Sequence, residues 1–347
     1  MHRALRLATL SLGRTWPNPG VACVLVKNGV LIGQGRHERC GQAHAEINAL
    51  SDCRGRGNDP KHATAYVTLA PCTRVGRTPP CSLALIQAGI TRIVAAIADP
   101  VQDDPRPAFL KEGIDYSVGV CADLALYLHG GFLQRVTTGR PRLTGKWAMT
   151  LDGFLAKSAA DSMPLSISCP VARHATRRRR RAYDGIVIGV GTLLADNPRL
   201  DCPIAHRSPA RIVIGRDASW AKDCARLHLC GPGGQQYLVH DDHTSSQDME
   251  ILRQNGWKTL WVGNCHDPLL VAECLGRVGF NDLLVEGGAK IHGAWLPLYD
   301  QLETTLGPLS ISTGLPVADG KDHLLRWKPA GPPRLLGHSV VIRHVRQ

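Results

Sequence analysis

The chain has 347 residues, 44% hydrophobic and 5% aromatic, and its 41 Lys and Arg against 29 Asp and Glu give a net charge of +12, which suits an anionic ligand, whether phosphate, dinucleotide or nucleic acid. That length accommodates two domains with ordinary cores and excludes a small scaffold held by disulfides. No apolar run reaches bilayer length, which excludes a helical membrane protein, and the 12 cysteines follow no framework spacing, which fits a reducing cytoplasm.

In chain order, MHRALRLATLSL is Arg-bearing and amphipathic, with no acidic residue before Glu38. It reads as a helix whose Leu5, Ala8, Leu10 and Leu12 face a core, ended by Gly13 and the WPNPG turn, in preference to an organelle transit peptide. GVACVLVKNGVLIGQG reads as a hairpin around Asn28-Gly29, HAEINAL as a helix start, ATAYVTLA as a strand, SLALIQAG as a helix and ITRIVAAIA as a strand. This is a layered α/β pattern. Around RVTTGRPRLTGKWAM a helical pattern gives way to a turn and a new strand, so the boundary falls at residues 138–142, with domains 1–140 and 141–347. Beyond it, YDGIVIGVGTLLADNPRL, PARIVIGRD, QQYLVHD, WKTLWVGN and FNDLLVEGGAKIHGAWL supply apolar strands, several running straight into helices, as a mostly parallel sheet requires. The run Arg177 to Arg181 reads as the solvated face of a helix.

The stretch TLAPCTRVGRTPPC sets Cys72 and Cys81 in a loop after a strand, and upstream GQAHAEINAL holds His44 and Glu46. Taken singly, such thiols and such a histidine are ordinary buried residues. Together they match a zinc deaminase pattern, H-x-E followed by P-C and a further Cys. Three protein ligands, His44, Cys72 and Cys81, leave a tetrahedral zinc one position for water. Zinc lowers the pKa of such a water to about 7, and Glu46, two residues past the ligand, is placed to move its proton to a leaving amine.

Eight residues separate Cys72 from Cys81, where nucleic-acid and cytidine deaminases close with P-C-x-x-C. With PNPGVACVLVKNGVLIGQGRHERCGQAHAEINAL, YVTLAPC and GRTPPC, the first half resembles the deaminase domain of the bifunctional riboflavin-biosynthesis deaminase-reductases. RPRLTGKWAMTLDGFLA, GVGTLLADNPRL and LLVEGGAKIHGAWL resemble their reductase domain, in the same order. The resemblance implies a cytidine-deaminase-like three-layer α/β/α domain followed by a dihydrofolate-reductase-like α/β domain that uses NADPH.

It further implies substrate contacts at Asn18, His37, Arg74 and Arg77 in the first domain and at Lys146, Arg180 and Glu286 in the second, with Asp152 on the same strand region as Lys146. Cofactor contacts fall at Ala148, Thr192, Asp196, Gly287 and Gly288, and on to Ala294. Glu286-Gly287-Gly288 also ends a strand and opens a helix, where bare amides could meet a pyrophosphate. The sequence departs from the family pattern at Ala70, Thr73-Arg74 and VQDDPRPAF in the first domain. In the second, ADSMPLSI lacks the family's Trp and Pro203 stands where an arginine is usual.

The implied activity is zinc-dependent deamination of 2,5-diamino-6-(ribosylamino)-pyrimidinone 5'-phosphate, then NADPH reduction of the ribosylamino product to its ribitylamino form. The expected partner is a small phosphorylated pyrimidine, with no nucleic acid or membrane, in a cytoplasmic homo-oligomer. Two rivals stay open at this point: a deaminase-only paralogue with a degenerate reductase half, serving another pyrimidine-derived product, and a nucleic-acid-binding or editing protein. The lost Trp and Arg favour the first, and the positive charge the second.

Overall fold

The computed structural model describes residues 1–74, 79–156, 166–204, 208–231, 233–317 and 325–347. The chain forms two compact units, Met1–Gly139 and Arg140–Gln347. Helix α5 of the first unit (Ala122–Thr138) ends on Gly139, whose φ of 80° is the left-handed stop that glycine tolerates without strain.

In the first unit, β1 (Ala22–Lys27) and β2 (Val30–Arg36) form the expected hairpin. Asn28 and Gly29 both take positive φ, 51° and 75°, as a two-residue turn between right-twisted strands demands. With β3 (Thr64–Val67), β4 (Arg92–Ala95) and β5 (Asp115–Val118) they make a sheet of order β2-β1-β3-β4-β5, antiparallel through β3 and parallel beyond. Side chains alternate across it: Cys23 and Leu25 join Ala45, Ala49, Leu85 and Phe109 in one core, while Ala22 joins Leu5, Ala8, Leu128 and Phe132 in the other. Helices α2 (Ala45–Gly55) and α3 (Cys81–Gln87) therefore cover one face and α1 (His2–Ala8) and α5 the other, the three-layer arrangement expected. The short helix α4 (Arg106–Lys111) buries Phe109 on the α2 side. One expectation fails: Leu10 is 44% exposed, because α1 stops at Ala8 and five residues of helical rotation from Leu5 carry position 10 off the buried face.

The second unit is built on β6 (Arg142–Met149), β8 (Gly185–Gly189), β9 (Ala210–Ile214), β10 (Gln236–His240), β11 (Lys258–Trp261) and β12 (Asp282–Val285), with β7 (Phe154–Ala156) outside the main sheet. These strands and β13 (Gln301–Leu306) pair in parallel in the order β11-β10-β9-β8-β12-β6-β13. Their crossovers carry α6 (Pro170–Arg179), α7 (Val190–Asp196), α8 (Ser246–Gln254), α9 (Pro268–Val278) and α10 (Ala289–Trp295). Sequence reading does not anticipate the C-terminal strands: after β14 (Leu315–Pro316), β15 (Trp327–Pro329) and β16 (Arg334–Leu336), strand β17 (Ser339–Arg346) runs antiparallel to β13. The reason is polarity. Glu303, Thr304 and Thr305 of β13 are all buried, so the strand carries no apolar pattern.

Candidate active sites

His44 is the N-cap of α2, extended at ψ 166°, and its ring makes no cap hydrogen bond. It turns instead to the sulfurs: His44 Nδ1 lies 3.7 Å from Cys72 Sγ and 3.4 Å from Cys81 Sγ, and the three donor atoms all sit within 4.8 Å of one another. Cys81 is the first residue of α3. Its amide donates to Cys72 Sγ (3.3 Å) and that of Ser82 to the Cys72 carbonyl (3.2 Å), so orphan amides of a helix start pin the loop that carries Cys72. The hydrogen bond from the Cys81 thiol, helped by His44 and the Cys81 amide, holds Cys72 down to about 4, in the thiolate range that a metal selects. One imidazole and two sulfurs at this spacing fit zinc with a fourth position left for water.

Glu46, 3% exposed, lies in the first turn of α2 beside this cluster. Burial pushes its carboxyl up to about 7, and a cation on the three ligands would draw it down again. A cavity of about 160 Å³ opens over the cluster and is lined by Asn18, His37, His44, Glu46 and Cys72. His37 Nδ1 sits 3.0 Å from the Ala43 carbonyl and its Nε2 3.2 Å from Asn18 Nδ2, which fits a ring protonated on Nδ1 and accepting from the asparagine. Arg74 does not line this cavity: it is 64% exposed and its guanidinium faces Asp103 at 3.6 Å. Arg77 lies outside the described residues. Sequence reasoning missed Asp99, Val101, Gln102 and Phe132 of the cavity wall. Asp99 had a signal, since it lies four residues past Ala95, the last residue of β4, at the carboxyl edge of parallel strands, where ligands collect.

In the second unit the register of β12 on β6 pairs Val285 with Gly145, which sets Glu286 beside Lys146. Arg180 meets Glu286 in a fork, Nε to Oε1 at 3.0 Å and Nη2 to Oε2 at 2.8 Å, and donates Nη1 to the Asp201 carbonyl. Burial raises the Glu286 carboxyl, but the charges of Arg180 and Lys146 outweigh it and hold the group down to about 2. Burial lowers Lys146 against the pull of Glu286. The arginine run divides: Arg178 and Arg181 are exposed as a solvated face requires, whereas Arg177 grips Asp201 (2.8 Å), Arg179 contacts Glu303 and Arg180 holds Glu286.

Strands β8 and β12 are neighbours, so the turns into α7 and α10 lie side by side, each N-capped by a glycine, Gly189 or Gly288, with no side-chain oxygen on the first amides. A Cβ on Gly288 would stand 3.4 Å from Thr192 Oγ1, and one on Gly287 would strike Ile291 at 2.5 Å. Helix-start amides without a side-chain cap at two adjoining glycine turns fit the pyrophosphate of a dinucleotide. Ala148 is half-buried on β6 and Asp196 is exposed at the end of α7. Asp152 lies beyond β6, where its carboxylate accepts from the amides of Ile311 (2.9 Å) and Ser312 (2.8 Å). Pro203 is exposed, and residues 160–165 of ADSMPLSI lie outside the described residues.

Residues 1–97 match the cytidine and deoxycytidylate deaminase zinc-binding region, and residues 141–331 match the RibD C-terminal domain. Riboflavin biosynthesis protein RibD of Aquifex aeolicus is 32% identical over 92% of this chain and 89% of its own length. The chain belongs to the RibD family of riboflavin-biosynthesis proteins. RibD of Escherichia coli is 34% identical over 89% of this chain and 86% of its own, and the chloroplastic protein PYRD of Arabidopsis thaliana 41% identical over 93% and 74%. A Thermotoga maritima crystal structure, described as a diaminohydroxyphosphoribosylaminopyrimidine deaminase/5-amino-6-(5-phosphoribosylamino)uracil reductase, superposes with a TM-score of 0.87 at 27% identity, covering 100% of this chain and 97% of that one.

A RibD protein joins a deaminase domain that binds zinc to a reductase domain that uses NADPH. The expected fold classes are those found, and this chain is a bifunctional enzyme of riboflavin biosynthesis. Among the described residues no helix is long and apolar enough to cross a membrane.

Proposed function

We propose that the first unit deaminates 2,5-diamino-6-(ribosylamino)-pyrimidinone 5'-phosphate and the second reduces the ribosylamino product to its ribitylamino form. The observation that carries the first step is the meeting of His44 Nδ1 and two cysteine sulfurs within 4.8 Å beside a buried Glu46, under a cavity walled by Asn18 and His37. His44, Cys72 and Cys81 hold the zinc, which when bound supplies the Lewis acid that activates water. Glu46 takes the proton of the attacking water and returns it to the departing amine. His37, its tautomer set by the Ala43 carbonyl, accepts from Asn18 and so fixes which way that amide faces the pyrimidine. The family resemblance assigns Arg77 to the substrate phosphate, whereas Arg74 is engaged with Asp103 away from the cavity.

In the second step Arg180, Lys146 and Glu286 orient the sugar, the glutamate staying charged between its two cations. Thr192, Gly287, Gly288, Ala148 and Asp196 hold NADPH, which supplies the hydride. The enzyme works in the cytoplasm as a homo-oligomer on a small phosphorylated substrate and without nucleic acid. The carboxylate partners of Arg177, Arg179 and Arg180 support the last point, because they take three of the five arginines in the run out of reach of phosphate contacts.

The test follows ammonia release and NADPH absorbance together, with zinc-loaded protein and the diamino-pyrimidinone phosphate. Ammonia followed by NADPH oxidation is the expected result. Ammonia alone would remove the second step, and neither would remove the substrate assignment.

A further inference from the structure

Cys224 and Cys230 belong to neither site. They lie in successive 3-10 segments, Ser219–Arg226 and His228–Cys230, and their sulfurs are 2.7 Å apart, within an ångström of the S–S bond length of about 2.05 Å. The two thiols differ in surroundings. Cys224 is 3% exposed in a core that also holds the edge-to-face pair Trp220 and Trp257, whereas Cys230 is partly exposed. Arg211, 2% exposed, donates Nη1 to the carbonyls of Leu229 (2.7 Å) and Gly231 (2.9 Å), which flank Cys230 and bring a buried guanidinium to it. The contact between the two sulfurs, with help from Trp257 and Arg211, lowers Cys230, while the same contact and burial raise Cys224. An accessible, thiolate-leaning cysteine backed by a buried partner is the arrangement of a nucleophilic and a resolving thiol.

The segment is also tied to the expected cofactor helix. Asn197, directly after α7, donates to the Arg226 carbonyl (3.2 Å) and accepts from the His228 amide (2.9 Å).

We propose that Cys224 and Cys230 form a redox modification site that takes a low-molecular-weight disulfide, RSSR, as its two-electron oxidant. The Cys230 thiolate, its proton lost to solvent, attacks one sulfur of RSSR, breaking the S–S bond and expelling RS⁻. Cys224 gives its proton to that RS⁻ and attacks Cys230 Sγ, expelling the second RS⁻, which is protonated from solvent. The protein sulfurs are oxidised to one intramolecular disulfide and RSSR is reduced to two thiols.

The experiment titrates zinc-loaded, full-length protein with oxidised against reduced glutathione, traps free thiols with iodoacetamide and maps tryptic peptides by mass. Arg226 lies between the two cysteines, so cleavage there separates fragments 223–226 and 227–253 unless a disulfide joins them. The joined pair, lighter by two hydrogens, is expected at glutathione ratios where the other cysteines still alkylate. Cys224→Ser is expected to leave a stable glutathione adduct on Cys230, and Cys230→Ser to leave Cys224 unmodified. Separate alkylation of both cysteines throughout, or equal glutathione adducts on wild type and Cys224→Ser, would overturn the proposal. Wild-type mapping decides it even where a variant folds poorly.

Discussion

At the scale of single residues, neighbours set the chemistry. Glu46→Gln keeps the side chain's shape and removes the proton carrier, so ammonia release should fall by roughly 100- to 10,000-fold while metal analysis still finds zinc. His44→Ala should instead lose both. The Arg180–Glu286 fork makes a different prediction. Arg180→Ala leaves Glu286 with one cation where it had two, and removing one partner of a buried pair costs about 3 to 5 kcal/mol, less whatever Lys146 retains. Urea unfolding monitored by tryptophan fluorescence measures that loss. Glu286 also gives the sign of an acid dependence. Its folded value, about 2, lies below the ordinary 4.5, so its contribution is fully present above 4.5 and drains away as pH falls toward 2. Glu286→Gln should flatten the unfolding curve in that window.

At the scale of elements, the zinc ligands are placed by how closely α2 lies on β2. A Cβ on Gly35 would meet the helix backbone at Ala45 (2.5 Å to its carbonyl) and Ala49, and one on Gly33 would meet the Ala49 carbonyl at 2.6 Å. Gly35→Ala must therefore lift the helix whose first turn carries His44 and Glu46. A loss of roughly 1 to 3 kcal/mol is expected, with weaker zinc retention in competition with a chelator. Gly29→Ala is the contrast. It sits at φ +75° with nothing within 4 Å of a new Cβ, so it should cost about 1 to 2 kcal/mol through the turn alone and leave zinc retention unchanged.

At the scale of the whole molecule, each unit has its own sheet and core, so the two chemistries should be separable. Stripping zinc with a chelator is expected to stop ammonia release while NADPH still quenches tryptophan fluorescence. Loss of both responses would mean that the units do not hold their sites independently.

What is local or strongly typed was legible in the amino-acid sequence. Asn28-Gly29 can make only a tight hairpin turn, and the order His44, Glu46, Cys72, Cys81 admits little besides a zinc deaminase. Parallel strands announce themselves by unbroken apolar runs, because both of their faces are covered. Which side chains meet is visible in the folded chain alone. Folding set Arg74 against Asp103, brought Asp99 and Phe132 into the cavity wall, and paired Arg177, Arg180 and Arg179 of the run with Asp201, Glu286 and Glu303. It also laid Glu303, Thr304 and Thr305 inside a sheet as β13. Each of these placements joins residues far apart along the chain, and sequence spacing carries no record of such pairings; for Arg180, Glu286 and Glu303 burial also demands an opposite charge.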